Sequence, residues 1–188
     1  MNRPRSRPLP RLLLVLAAVA VTTLGLIGPA AAAAPYCGLT WGSLPEEATG
    51  HEGPGSSTVS NVGAGQHACF DRLVVDLAGV TRAGYDVRYV PELRADGSGA
   101  LIPLRGGAVL QVVVRAPAYD DNGNATYQPA DPQEVVGTAG FTTFRQVAWA
   151  GSFEGTTTLG IGPRARLPFR VFTLDGPERI VIDVAHRW

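Results

Sequence analysis

Glu154 is the side chain of this 188-residue sequence best placed for general-acid chemistry, because Phe153-Glu154-Gly155-Thr156-Thr157 sets its carboxyl beside an aromatic ring and two hydroxyls. A glycosidase needs two acids converging on a cleft. The other reading of Glu154 is a strand-end surface acid, alone or paired with Arg164, Arg166 or Arg170. Nucleophile chemistry has less to work with: there is no Gly-x-Ser-x-Gly elbow, and His51, His67 and His186 fall in loops or at the C-terminal end, so no triad is spelled out. No glycine-rich phosphate loop leads into a helix. No catalytic residue is therefore expected, and an enzyme centred on Glu154 stands as the alternative to a non-enzymatic protein.

Asp120, Asn122, Asn124 and Asp131 fall at positions one, three, five and twelve of a calcium-loop spacing. The sixth position is Ala125 where the loop turns on Gly, and the twelfth is Asp where a bidentate Glu belongs. A solvated hairpin loop built on Asn122-Gly123 fits better. The histidines have no ligand spacing and the only cysteines are Cys37 and Cys69, so no metal and no cofactor is expected.

Binding chemistry is better represented. Tyr119, Tyr127, Trp149 and Phe153 could offer stacking faces to a sugar, and arginines could grip carboxylates on peptide stems or anionic polymers. The candidate ligand-binding set is Arg88, Tyr119, Trp149, Phe153, Glu154 and Arg166. Core packing is the other role open to the aromatics.

These residues need elements to position them. Met1 to Arg11 carries Arg3, Arg5, Arg7 and Arg11 with no acid, the apolar run Leu12 to Ile27 follows, and Gly28, Pro29 and Ala30 to Ala34 come next, the order of a secretory leader. The run is about 16 residues, short of the roughly 20 that cross a bilayer core. Residues 1–34 are therefore expected to be cleaved between Ala31 and Ala34, leaving no stable membrane insertion; an uncleaved N-terminal anchor is the alternative. Tyr36 directly before Cys37 is too bulky for a lipoprotein signal. Without the leader, twelve arginines face sixteen acids, a formal charge of −4, which argues against a nucleic-acid partner.

In an oxidising compartment Cys37 and Cys69 are expected to form one disulfide, closing a loop of about thirty residues and contributing roughly 3 kcal/mol. Between them, Pro45 to Gln66 is mostly Gly, Ser, Pro, Thr, Glu and Asn, with Val59 and Val62 as its larger apolar residues. It reads as a linker or loop without a core, so residues 35–66 are assigned to an N-terminal segment, with Trp41 docking on a domain spanning 67–188. There, short β-branched and aromatic runs alternate with turn residues, predicting an all-β sandwich or barrel with strands at residues 72–77, 85–90, 108–116, 144–149, 156–161, 169–174 and 179–184. Arg72-Leu73-Val74-Val75-Asp76-Leu77-Ala78 repeats as Arg179-Ile180-Val181-Ile182-Asp183-Val184-Ala185. Antiparallel pairing with Val74 opposite Val181 would set Arg72 against Asp183 and Asp76 against Arg179.

The run Asp71 to Leu77, the strand Tyr85 to Val90, and Phe169 to Leu174 leading into Pro177 to Val184 resemble the AMIN domain, and more closely the AMIN-like domain of secreted actinobacterial proteins. Trp41-Gly42-Ser43, Leu110 to Tyr119, Phe153-Glu154-Gly155 and Leu167-Pro168-Phe169 share the likeness. The resemblance implies a β-sandwich module of the periplasm or cell wall that localises its partners, through peptidoglycan or a wall-associated protein. A secreted, non-catalytic envelope-binding module is the resulting expectation, with strand addition to a protein partner as a further alternative.

Overall fold

The computed structural model describes residues 35–50, 57–79 and 82–188; the predicted leader lies outside the described residues. All of them belong to one compact unit that begins at Ala34.

Strand formation follows the period-two pattern. In β3 (Phe70–Ala78), Asp71, Leu73, Val75 and Leu77 point inward while Phe70, Arg72, Val74 and Asp76 stay half-exposed. β7 (Val109–Arg115) alternates in the same way, burying Leu110, Val112 and Val114. The remaining strands are β1 (Glu46–Ala48), β2 (Thr58–Gln66), β4 (Gly84–Val90), β5 (Leu93–Arg94), β6 (Leu101–Ile102), β8 (Phe144–Phe153), β9 (Thr156–Pro163), β10 (Phe169–Leu174) and β11 (Arg179–Ala185). They form an antiparallel five-stranded sheet, β1-β4-β7-β9-β8, and an antiparallel four-stranded sheet, β10-β11-β3-β2, with β5 and β6 as a separate hairpin. Inward residues of both sheets, among them Leu73, Val75, Ile180 and Ile182 against Val87, Leu110, Val112 and Ile161, make one core, so the domain is an all-β sandwich.

β3 and β11 pair antiparallel with Val74 opposite Val181, the register expected from the repeat. Cys37 and Cys69 form a disulfide, which ties the short turn at Tyr36–Gly38 to the start of β3. The sandwich is also laced at one open side: Gly42 exchanges two backbone hydrogen bonds with Phe169 (3.0 and 2.7 Å), and the Glu46 carboxylate accepts the Val171 N–H at 3.0 Å. β1 of one sheet is thereby joined to the edge strand of the other.

One expectation is overturned. The stretch read as a linker supplies β1 and β2, and β2 pairs along nearly the whole of β3 with Val59 and Val62 in the core. Two inward valines suffice because an edge strand is held by backbone bonds to its neighbour, and its outward positions carry Asn61, Gly63 and Gly65, which need no burial. The domain therefore begins before residue 67.

The two outer faces differ. On the five-stranded sheet Leu93, Ile102 and Leu104 from the β5–β6 hairpin pack over Ala148 and Ala150. Gly160 makes this approach possible, since a Cβ there would lie 2.3 Å from the Leu93 Cδ2. The outer face of the four-stranded sheet carries charged and aromatic side chains instead.

Candidate functional site

The four-stranded sheet brings together residues far apart in sequence. Arg170 on β10 and Arg72 on β3 flank Asp183 on the intervening β11, each directly opposite it in register. The Asp183 carboxylate is fully buried and accepts four hydrogen bonds, from Arg72 Nε (2.6 Å) and Nη2 (2.9 Å) and from Arg170 Nε (2.9 Å) and Nη2 (2.7 Å). A buried carboxylate is tolerable only with this degree of pairing. Two cations against one anion leave a local charge of +1. Each guanidinium has five N–H groups and spends two on Asp183, leaving donors on side chains that are 24% and 27% exposed.

Aromatic rings frame this triad. The Arg72 guanidinium lies 5.1 Å from the Phe70 ring centre and 5.4 Å from that of Phe172. Arg170 lies 4.9 Å from Phe172, 5.6 Å from Phe70 and 5.5 Å from Trp41. Trp41 is fixed there by its indole N–H, which donates to the Tyr36 carbonyl at 2.8 Å. Such stacking orients guanidinium planes without using their N–H groups. On the same face β2 presents Gly63, with nothing within 4 Å of an added Cβ, and Gly65, with only the His67 ring near. The arrangement can receive a carboxylate on the free N–H groups and an apolar or ring surface on the phenylalanines.

Farther along, Arg179 faces Asp76 in register, yet among the described residues they form no ion pair. The Asp76 carboxylate instead accepts the Asn61 amide at 2.9 Å, and Arg179 Nε is buried without a partner.

The residues singled out from sequence as ligand-binding are dispersed. Arg88 lies on the outer face of the five-stranded sheet, forked to Asp86 and 3.8 Å from Glu47. Tyr119, Phe153 and Glu154 meet at the β8–β9 hairpin tip, where the Tyr119 hydroxyl accepts the Gly155 N–H at 3.1 Å. Glu154 (φ 48°) and Gly155 (φ 81°) make the tight turn itself, and Glu154 is exposed. None of its proposed arginine partners reaches it: Arg164 donates to the His186 carbonyl, Arg166 to that of Ser43, and Arg170 to Asp183. Trp149 is half-buried against Tyr127, with ring centres 5.6 Å apart. Arg166 lies 4.6 Å above Tyr89, whose hydroxyl donates to the Leu167 carbonyl and accepts its N–H. In the loop with the calcium-like spacing, the Asp120 carboxylate accepts from Asn122 N, Asn124 N and Asn124 Nδ2, bonds that hold its pKa below the usual value.

Phe70, Arg170, Phe172 and the contact of Trp41 with Arg170 were not assigned to a site from the sequence. The available signal was the two-residue spacing of Phe70 and Arg72, and of Arg170 and Phe172, which puts each pair on one strand face.

The family model of the AMIN-like domain matches residues 57–186. The chain belongs to the AMIN-like domain family. No curated protein and no solved structure matches it. The match takes in β2 and every member of the Arg72–Asp183–Arg170 triad, whereas β1, the Tyr36–Gly38 turn and Trp41 lie outside it. Membership in the AMIN-like family places the domain in a cell-envelope context, and no helix among the described residues is long and apolar enough to cross a membrane.

Proposed function

We propose that this AMIN-like domain is an exported, non-catalytic module that binds carboxylate-bearing cell-wall material, peptidoglycan first, on the outer face of its four-stranded sheet. The observation that carries this reading is the triad: a buried carboxylate holds two guanidiniums rigid, with unused N–H groups and an aromatic frame. Rigid donors lose little entropy on binding. Peptide stems of the wall supply carboxylates, and glycan rings supply flat surfaces for Phe70 and Phe172. The leader expected at residues 1–34 delivers the domain to that compartment.

The test is co-sedimentation of residues 35–188, disulfide intact, with purified sacculi before and after their anionic polymers are stripped. Saturable binding that survives stripping and weakens roughly tenfold in Arg170→Gln, the loss of one charged hydrogen-bond pair, is the expected outcome. Binding lost on stripping would move the ligand from peptidoglycan to the polymer. No binding to either preparation would remove the reading and leave a protein partner.

A further inference from the structure

Beside Trp41 lies an open cavity of about 330 Å³ walled by Pro35, Tyr36, Leu39, Thr40, Trp41, Pro168 and Trp188. Only Pro168 of these falls within residues 57–186, so the cavity is built from what this chain carries outside the family match. We propose that it is a second binding site, distinct from the sheet face, for a pyranose ring bearing a carboxylate.

Three observations carry the assignment. The walls are held in place independently of any ligand: the Cys37–Cys69 disulfide and the Trp41 indole bond secure the N-terminal side. On the other side His186 N donates to the Cys69 carbonyl at 2.9 Å, His186 Nε2 lies 3.1 Å from the buried Asp71 carboxylate, and the Trp188 indole N–H donates to the Arg166 carbonyl at 3.2 Å. Second, Trp188 is 70% exposed although tethered, a large aromatic face presented rather than packed. Aromatic faces are electron-rich, and the C–H groups on the flat side of a pyranose are the positively polarised apolar surface that fits them. Third, the Arg187 guanidinium lies 4.7 Å from the Tyr36 ring centre and makes no ion pair among the described residues. No acidic side chain lines the cavity. Arg187 is not itself a wall of the cavity but stands over Tyr36, which is, so a carboxylate projecting from the bound ring would meet an exposed cation there.

A proline-rich peptide is the competing occupant of an aromatic groove, and the unpartnered Arg187 is what favours the acidic sugar. The experiment is an NMR titration of residues 35–188 with trigalacturonic acid, neutral cellotriose and a polyproline peptide, following the indole N–H signals of Trp41, Trp149 and Trp188. The acidic trisaccharide is expected to shift Trp41 and Trp188 and leave Trp149 in place. Trp188→Ala and Arg187→Gln should each weaken it roughly tenfold, the order for one stacking face or one charged hydrogen bond, with the remaining spectrum unchanged as evidence of folding. Sacculus binding through the triad should persist in Trp188→Ala, which separates failure here from failure of the sheet-face reading. Equal binding of cellotriose, shifts caused by the peptide alone, or no shift with any probe would each overturn the assignment.

Discussion

Replacing Asp183 with Asn tests the triad most directly. The substitution keeps shape and removes the negative charge, so two half-buried guanidiniums face a neutral amide whose oxygen, at the Oδ2 position, still accepts from both while its N–H₂ opposes Arg72 Nε. Breaking a buried ion pair by deleting one partner costs about 3–5 kcal/mol. For Asp183→Asn the full burial of the anion argues for the upper part of that range, and the solvent that screens the arginines through their 24% and 27% exposure argues for the lower. Against a total stability of about 5–15 kcal/mol the loss is large, and for a domain of this size it corresponds to a drop in Tm of about 6–20 °C. Urea denaturation of the oxidised protein, followed by tryptophan fluorescence and far-ultraviolet dichroism, reads it. Arg72→Gln and Arg170→Gln should each cost less, about 1–3 kcal/mol, because the surviving arginine still pairs with the carboxylate. A loss below about 1 kcal/mol in Asp183→Asn, a value typical of surface pairs, would refute the claim that burial makes this triad rigid.

Two further outcomes concern stability. Burial raises the Glu46 pKa above its ordinary value, against the opposing effect of the Val171 N–H bond. The folded state then holds this proton to higher pH than the unfolded chain, so stability falls as pH rises from about 4.5 through the raised pKa. Glu46→Gln keeps the acceptor and removes the titration; urea midpoints of the two proteins should coincide in acid and separate above that window in favour of Gln, and a constant difference from pH 3 to 8 would contradict this. Asp71 accepts the N–H groups of Thr143 (2.5 Å) and Phe144 (2.9 Å) in a fully buried setting. Asp71→Ala leaves both donors unpaired at about 1–3 kcal/mol each, and unchanged hydrogen-exchange protection at those two amides would show that another acceptor replaces it.

How much of this could be read from sequence depended on what each element asks of its residues. β3 and β11 each bury three or more alternating apolar residues and carry opposite charges at matching ends, so both their existence and their register were legible. β2 was not, because an edge strand with Val59 and Val62 inward and glycines outward has the composition of a loop. The disulfide was legible from the two cysteines and the leader expected before them. The site depended on strand order: Arg170 belongs with Arg72 only because β10 and β3 flank β11, a neighbourhood no local pattern encodes. Glu154 drew attention through its flanking residues, yet its place was decided by hairpin geometry, which put it at the turn with φ of 48°.

Arg72 and Asp183 are 111 residues apart, so the charged face is assembled from an early strand, β3, and the last two, β10 and β11. Contacts of that span form late, after the loop-closure entropy between them has been met. A chain that is only partly folded has the charged side chains but not the fixed, paired array. If the face binds as proposed, recognition is withheld until both ends have met, and binding becomes a readout that folding is complete.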